Sequence, residues 1–575
     1  MASEDIITRG HHSLGAALLG GTLAAVSPAL AADVTPDRLV NADREPQNWL
    51  MNHRTYDGQR FSPLARINKG NVKNLKLAYA VALGGTTGDE WTEATPLVED
   101  GFIYIVDGWG VLYKIDGRSG DVGRIIWRME PKQEKQSNNR GATLWGNLAI
   151  SPANWPARIV ATDKETGKVV WETNMVFGQP DTRITAAPLA IKDKIIVGAS
   201  GGDSGVRDWI AGLDAATGKV LWRKFTIPAP GEPGSETWKD ANNAWQNGGA
   251  ALWVTGTYDP VTNQTIWGTG NPVPMFDPTY RPGDNLYTNS AISWDPDTGT
   301  MNWYFQYTPG DMWDYDEIGT HILIDGEVAG KPRKLMTHSA RNGHLYTMDR
   351  HNGQIIGAKP YTTVNWTRGI DQKTGKPLEY DPSKDIQVYA GLGNLNSNEA
   401  LKKVCPSHAG GNNWWPSSYS PKTRLIYIPA LSNCATVTID REKHNKERGW
   451  SGGLSTVTER WESSLTAADP VTQEIKKSIH LPYPNSSGTL STGGGLVFLA
   501  LLDGTVAAHD DTTLDELWKL NLGAPFKAPP MSFEVNGRQY VAIVSGGGES
   551  ARRRLANTPE LKEQRNATVL YVFGL

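Results

Sequence analysis

The chain has 575 residues, with 57 basic and 61 acidic side chains and a formal net charge of −4, so no basic stripe exists to bind a phosphate backbone. Two cysteines cannot form a zinc cage or a disulfide scaffold, and no Cys-x-x-Cys-His sequence is present for covalent haem attachment. The 61 glycines, 35 prolines and 22 tryptophans favour many short strands joined by tight turns over helical bundles.

The first 31 residues are predicted to be a secretory signal peptide. Residues 13–30 form a weakly hydrophobic run, and the small-x-small pattern that ends at Ala31 predicts cleavage after that residue. A membrane anchor is disfavoured because the run contains glycines and a proline and is shorter than the roughly 20 strongly apolar residues of a span. The sequence therefore predicts a periplasmic protein with no membrane span in the mature chain. In that oxidising compartment Cys405 and Cys434 could pair.

A repeated turn motif organises the rest of the chain. Asp-x-x-(Thr/Ser)-Gly followed closely by Trp occurs in sequences that start at Asp116, Asp163, Asp214 and Asp295, and degenerate copies fill the gaps. Apolar alternating runs flank each turn, so each copy predicts a strand, a turn and a second strand. Clear neighbours are roughly 35 to 50 residues apart, which is the spacing of propeller blades with four strands each.

These repeats predict an all-β fold, in which residues 32–575 form a single eight-bladed β-propeller of four-stranded antiparallel blades. One blade cannot bury both of its faces, and radial closure protects the strand edges. We expect the repeated Trp to pack between adjacent blades. The chain is longer than eight blades require, so long loops are expected on the active-site face, at residues 129–160, 226–248, 272–290, 360–415 and 436–465.

An acidic segment differs from the repeats. Residues 311–317 have the sequence Asp-Met-Trp-Asp-Tyr-Asp-Glu and directly follow a predicted strand. Because side chains alternate along extended backbone, Asp314 and Asp316 are expected to point the same way and to attract a cation. On composition alone, a solvated acidic loop explains the segment equally well.

Three further motifs favour a functional site: SGGD at residues 200–203, GTGNP at 268–272 and RNG at 341–343. With this ordered set, the sequence resembles the quinoprotein alcohol dehydrogenases, eight-bladed propellers that use pyrroloquinoline quinone (PQQ). The likeness runs from Asn48 to the VAIVSGGG segment at residues 541–548. It implies a PQQ- and metal-dependent dehydrogenase that oxidises an alcohol to an aldehyde or ketone.

The resemblance implies a metal site. The family's glutamate, the Asn of GTGNP and the Asp of the WDY motif correspond here to Asp203, Asn271 and Asp314, and lanthanide-using members carry a further Asp at the place of Asp316. Asp203 departs from the family because it is one methylene shorter than Glu. Three carboxylates and one amide suit a hard trivalent ion, although oxygen ligands also accept Ca2+. One ion, either Ca2+ or a trivalent lanthanide, is therefore expected.

The resemblance also implies contacts with PQQ. Trp253 matches the indole beneath the planar cofactor, and such a ring is suited to stacking on a flat quinone. Glu93 and Arg140 match polar contacts around the carboxylates and carbonyls of the cofactor. Arg341 matches the cation beside its reactive carbonyl.

Further cofactor positions are implied at Thr185, Ser200 and Asn413. For the two hydroxyl residues, hydrogen bonding to backbone at a strand end is an equally good interpretation. Many relatives close the other side of PQQ with adjacent cysteines, but residues 134–139 have the sequence EKQSNN, which excludes such a pair. Cys405 and Cys434 resemble a second, non-adjacent family pair.

The implied mechanism makes Asp314 the general base and Arg341 the cation that, with the metal, activates the quinone. Without a haem motif, electrons are expected to pass to a separate cytochrome c or a dye. The missing cysteine pair favours a bulkier primary or secondary alcohol, a polyol or a hydroxylated toxin over methanol. The alternative is a non-catalytic propeller scaffold for protein assembly, similar to outer-membrane scaffolds built from related repeats. The sequence leaves a homodimer open.

Overall fold

The structure is a computed structural model that describes residues 33–84, 91–389, 401–441 and 450–575. The predicted signal peptide, residues 1–31, lies outside the described residues. The described chain begins with helix α1 (Pro36–Val40), strand β1 (Phe61–Ser62) and strand β2 (Lys76–Gly84).

Five four-stranded sheets follow in chain order, and in each of them every strand pairs antiparallel with the next. They are formed by β3 (Leu97–Glu99), β4 (Phe102–Val106), β5 (Leu112–Asp116) and β6 (Arg124–Met129); β7 (Thr143–Trp145), β8 (Leu148–Ala153), β9 (Arg158–Asp163) and β10 (Val169–Asn174); β11 (Leu189–Ile191), β12 (Lys194–Gly198), β13 (Trp209–Asp214) and β14 (Val220–Phe225); β15 (Thr257–Asp259), β16 (Gln264–Gly268), β17 (Ser290–Trp294) and β18 (Met301–Gln306); and β19 (Ile322–Val328), β20 (Lys331–Ser339), β21 (His344–Asp349) and β22 (Ile355–Pro360).

The sixth and seventh blades and a smaller sheet come next. The smaller sheet has three strands, β23 (Leu401–Val404), β26 (Ala435–Ile439) and β27 (Gly453–Thr456). The sixth blade contains β24 (Ser418–Ser420), β25 (Leu425–Leu431), β28 (Ser463–Asp469) and β29 (Glu474–Leu481). The seventh contains β30 (Thr489–Thr492), β31 (Leu496–Ala500), β32 (Thr505–Asp510) and β33 (Glu516–Asn521).

The eighth blade joins the two ends of the described chain. It contains β34 (Met531–Val535), β35 (Arg538–Val544) and β36 (Thr568–Gly574), and β2 completes it by pairing antiparallel with β36. Helix α2 (Gly548–Leu555) lies between β35 and β36. Pairing of an early strand with the last one closes the ring and leaves fewer free strand edges. The predicted all-β, eight-bladed propeller is confirmed.

The repeated motif forms the turn between the third and fourth strands of a blade. In the second blade, Asp163 Oδ1 accepts hydrogen bonds from the amide and hydroxyl of Thr166 at 2.7 and 2.8 Å. Gly167 follows with φ of +71°, a backbone conformation that favours glycine. Trp127 of the preceding blade lies against Gly167 and donates to the Lys164 carbonyl at 3.0 Å. The predicted packing of Trp between adjacent blades is confirmed here.

The structure corrects three details of the predicted fold. The seventh blade has a fifth strand, because β1 adds to β30 in parallel. Residues 129–160 are not one continuous loop, since β7, β8 and the first part of β9 lie within this range. The smaller three-stranded sheet lies within the predicted loops 360–415 and 436–465 and carries no repeat motif, which explains why the repeats did not predict it.

A disulfide between Cys405 and Cys434 stabilises the smaller sheet. Cys405 directly follows β23 and Cys434 directly precedes β26, so the bond joins neighbouring ends of two paired strands. The expected pairing of the two cysteines is therefore confirmed. In the part of the chain that the structure describes, no helix is long and apolar enough to cross a membrane.

Candidate active site

One cavity of about 820 Å³ brings together every site residue that the sequence predicts. The residues come from nine separate loops, and each loop precedes the first strand of a blade or follows its second strand. Because successive strands are antiparallel, these two kinds of loop open on the same face of a propeller. The predicted residues that line the cavity are Glu93, Arg140, Thr185, Ser200, Asp203, Trp253, Asn271, Asp314, Asp316, Arg341 and Asn413.

The acidic segment after β18 presents its two central aspartates to the cavity. Trp313 and Tyr315 are buried in the apolar core, whereas Asp314 and Asp316 line the cavity, as the alternation predicted. Asp311 shapes the segment by accepting hydrogen bonds from the amides of Trp313 and Tyr315, each at 3.1 Å. Asp314 has φ of +63°, which is an uncommon backbone conformation for a residue with a side chain.

Arg341 lies at the centre of the polar contacts in the cavity. Its Nη2 atom is 2.7 Å from Asp316 Oδ2 and donates to Asn413 Oδ1 at 3.0 Å. Its Nη1 atom donates to the Asp314 carbonyl at 2.8 Å. Glu317 Oε2 accepts from the Arg341 backbone amide at 2.9 Å, which fixes the main chain behind the guanidinium.

Glu93 is buried between two cations in the wall of the cavity. Its Oε2 atom is 2.7 Å from Arg140 Nη2, and its Oε1 atom accepts a hydrogen bond from Lys527 Nζ. Burial favours a higher pKa, but the charges of Arg140 and Lys527 outweigh it, so the pKa of Glu93 lies below its usual value. Sequence analysis missed Lys527, because nothing in the stretch GAPFKAPP distinguishes it from an ordinary loop lysine.

Two guanidinium groups lie near the ring of Trp253. The carbon atoms at the centre of the Arg140 and Arg341 guanidiniums are 4.6 and 5.7 Å from the ring centroid. The hydroxyl oxygens of Thr185 and Ser200 are 3.3 Å apart, and Thr185 also donates to the Trp253 carbonyl at 3.3 Å. An aromatic surface flanked by cations and hydroxyl groups suits a flat anionic ligand.

The oxygen donors for a metal lie at one end of the cavity. Asp203 contacts the Asn271 side chain, and the Asn271 backbone amide donates to Asp316 Oδ1 at 2.6 Å. Desolvation by the surrounding protein, and next the negative charge of Asp316, raise the pKa of Asp203 to about 6. Within the described residues, no group of three or more His, Cys, Asp or Glu side chains is arranged to hold a metal ion. The carboxylates together with the Asn271 amide provide the hard oxygen donors that Ca2+ or a trivalent ion requires.

Unpaired donors show that the cavity also fits an anionic cofactor. The Nε atoms of Arg140 and Arg341 and the indole nitrogen of Trp91 are buried without hydrogen-bond partners, and all three residues line the cavity. Buried polar atoms are normally hydrogen-bonded, so these donors are available to a ligand. PQQ, with its carboxylates and carbonyls, provides acceptors of the required kind.

The sequence matches a family model described as "PQQ: Glucose/ethanol/alcohol dehydrogenase, beta-propeller domain". The match covers residues 49–364 and 452–541, which is more than half of the chain. The chain belongs to this family. It is a PQQ-dependent alcohol dehydrogenase, and the alternative of a non-catalytic scaffold is set aside because its named relatives are enzymes.

Relatives of this PQQ-dependent dehydrogenase match it along most of its length. It is 35% identical to the quinohemoprotein alcohol dehydrogenase of Comamonas testosteroni, over 93% of this chain and 78% of the relative. It is 32% identical to the quinoprotein alcohol dehydrogenase PedH of Pseudomonas putida, over 98% of this chain and 96% of the relative. A europium-containing methanol dehydrogenase superposes with a TM-score of 0.86 at 28% identity, covering 94% of this chain and all of the other.

Proposed function

We propose that the enzyme is a periplasmic, PQQ- and metal-dependent dehydrogenase that oxidises a bulkier primary or secondary alcohol, a polyol or a hydroxylated toxin. Electrons leave to a separate cytochrome c. The observation that carries the proposal is the convergence of all predicted cofactor, metal and catalytic side chains on one cavity. When bound, PQQ supplies the acceptor for a hydride, and the metal ion supplies a Lewis acid beside it.

Asp314 is the proposed general base for the alcohol proton. Its side chain is 18% exposed, so it reaches the cavity while most of its surface is shielded from water. Burial, partly opposed by the charge of Arg341, raises the pKa of Asp314 well above its usual value. A carboxylate with raised proton affinity is a stronger base, which favours proton abstraction from an alcohol.

Arg341 positions the reacting groups. Its contacts with the Asp314 carbonyl, Asp316 and Asn413 hold the guanidinium in one orientation near the Trp253 ring. A fixed cation at this point binds an anionic oxygen without reorganisation during the reaction. We therefore assign Arg341 to the carbonyl oxygens of the cofactor, and Glu93, Arg140 and Lys527 to its other polar groups.

The mouth of the cavity supports a substrate larger than methanol. The smaller three-stranded sheet contributes Leu454, Ser455 and Thr456, and Val457 and Trp461 follow it along the lining. Leu454 is 58% exposed, which leaves an apolar surface for a substrate to cover.

Reconstitution tests the proposed function directly. Purified protein is loaded with PQQ and either Ca2+ or La3+, and alcohol-dependent reduction of an artificial dye is measured. We expect activity only when both PQQ and a metal are present, with no activity when NAD replaces the dye. Haem absorbance in the purified chain, NAD reduction or turnover without PQQ would contradict the proposal.

A further inference from the structure

Asp208 is a buried carboxylate that the assigned mechanism does not use. It directly precedes β13, its exposed fraction is 0%, and within the described residues no side chain donates a hydrogen bond to its carboxylate, whose polar neighbour is the Gly202 backbone amide. A buried carboxylate is costly unless an ion or hydrogen bonds compensate its charge, so this residue requires an explanation.

The position of Asp208 relates it to the metal end of the cavity. Its Oδ2 atom is 3.1 Å from the place where a Cβ atom on Gly202 would stand, so it lies directly beneath the turn that carries Asp203. Gly249 connects this turn to Asn271. Its Cα atom is 3.0 Å from the position that a Cβ atom on Gly202 would take, and a Cβ atom on Gly249 itself would lie 2.6 Å from the carbonyl oxygen of Asn271. Asp208 is therefore packed behind two of the residues assigned to the metal.

Charges around Asp208 leave an excess of negative charge. Burial raises the pKa of Asp208 well above its usual value, the charges of Asp203 and Asp316 raise it further, and Arg183 and a hydrogen bond from the Gly202 amide oppose this rise. Arg183 is itself directed to the same turn, since its Nη2 atom donates to Ser204 Oγ at 2.7 Å. Arg183, together with the Arg341 that pairs with Asp316, does not neutralise Asp203, Asp208 and Asp316, so a cation at the metal end of the cavity completes the balance.

We propose that Asp208 is a fourth carboxylate of the metal site, which acts from beneath Asp203 and strengthens the preference of the site for a trivalent over a divalent cation. Asp203 is shorter than the family's glutamate, and Asp208 restores negative charge at the end of the cavity where that shorter side chain lies. Because the interaction between charges scales with their product, the added carboxylate favours La3+ more than Ca2+.

The test measures metal binding without turnover. Dissociation constants for La3+ and Ca2+ are determined by titration calorimetry on PQQ-free protein, for wild type, Asp208→Asn and Asp208→Ala. We expect the ratio of the Ca2+ to the La3+ dissociation constant to fall by more than about threefold in both variants. Asp57→Asn is the matched control, because Asp57 is also an aspartate of raised pKa but lines a separate cavity.

Thermal unfolding separates this role from a structural one. Removing an unpaired buried charge is expected to leave the metal-free variants at least as stable as wild type, while La3+ raises their unfolding temperature less. The inference is overturned if the ratio of dissociation constants in the Asp208 variants stays within about threefold of the wild-type ratio. It is also overturned if Asp57→Asn changes that ratio by the same factor. The inference rests on the proposed metal site. If wild type binds neither ion, that site fails, whereas wild-type binding with an unchanged ratio in the variants overturns only the role of Asp208.

Discussion

Arg341 Nη2 lies 2.7 Å from Asp316 Oδ2, and this ion pair occupies one of the carboxylates assigned to the metal. Asp316 Oδ1 is also engaged, because it accepts a hydrogen bond from the Asn271 backbone amide at 2.6 Å. A metal bound by Asp316 must therefore share this carboxylate with Arg341 or displace it. Asp316 thus connects the metal to the cation beside the cofactor, and its two roles can be separated by the choice of metal.

Substitution of Asp316 is the first prediction. Asp316→Ala is expected to lower activity with La3+ or Ce3+ more than with Ca2+, because the added carboxylate contributes more to the binding of a trivalent ion. Activity is measured on enzyme loaded with PQQ and one metal at a time. Equal losses with both kinds of ion would show that Asp316 acts through Arg341 and not as a metal ligand.

Loss of the proposed base is the second prediction. Asp314→Asn keeps the shape of the side chain but removes its ability to take a proton, so the rate is expected to fall by about 10²- to 10⁴-fold. Binding of PQQ is expected to persist, since Arg341 contacts the Asp314 backbone carbonyl at 2.8 Å and that group is unchanged. Steady-state turnover and PQQ titration are measured together. A variant that keeps more than about a tenth of the wild-type rate is incompatible with this assignment.

The fold was predictable because its repeat depends on local chemistry. An Asp that accepts hydrogen bonds from a Thr three residues later, a glycine with positive φ and a following Trp are visible in a clear copy of the motif, as at Asp163, Gly167 and Trp171. The smaller sheet was not predictable in this way. Its strands β23, β26 and β27 come together from distant segments, and the Cys405–Cys434 disulfide holds two of them without any repeat motif.

Site residues that lie in a recognisable local motif could be predicted from the sequence, whereas residues whose role depends on distant partners could not. Asp314, Asp316 and Asn271 lie in compact motifs and were found. Lys527 and Asp208 were missed, because their importance comes from partners far away in the chain or from burial. Lys527 contacts Glu93 across 434 residues, and Asp208 is unusual only in the state of its buried oxygens.

Lys527 provides the third prediction. Lys527→Met leaves Glu93 with a single cation and removes a charge from the cavity wall, so PQQ affinity is expected to fall by about tenfold or more. Lys164→Met is the matched control, because Lys164 forms an equally buried pair with Glu99 at 2.6 Å outside this cavity. Both variants are expected to unfold at lower temperature. The assignment fails if they bind PQQ equally well in a fluorescence titration.

Buried histidines provide the fourth prediction. Burial lowers the pKa of His53 to about 3 and that of His344 to about 4, so both rings are neutral in the folded state. In the unfolded chain these histidines have a pKa of about 6.5, so below that pH the unfolded state binds more protons than the folded state. The free energy of unfolding therefore decreases as pH falls from about 6.5 towards 4. Each ring is expected to cost about 1 kcal/mol at pH 5.5 relative to pH 7.5.

Urea unfolding at these two pH values measures the effect of the histidines. His53→Gln and His344→Asn are each expected to reduce the difference in unfolding free energy between the two conditions. His480→Gln, at an exposed position, controls for the loss of a histidine as such. A difference that is unchanged in both buried-site variants would refute the link between these rings and acid sensitivity.

Substrate size is the fifth prediction. Binding a small alcohol tightly requires close contacts around it, since one missing methylene forfeits roughly 1–3 kcal/mol in an apolar pocket. The exposed side chain of Leu454, with Val457 and Trp461 beside it in the lining, offers apolar contacts that methanol is too short to make. We expect kcat/KM to be higher for a longer alkanol, a polyol or a polycyclic secondary alcohol than for methanol, all measured with the same metal.

Leu454→Ala is expected to lower kcat/KM for the longer alkanol by about 5- to 30-fold and to leave kcat/KM for methanol unchanged, because only the longer chain loses contacts. Methanol as the best substrate, or an equal effect of Leu454→Ala on both alcohols, would show that another group closes the cavity near the cofactor.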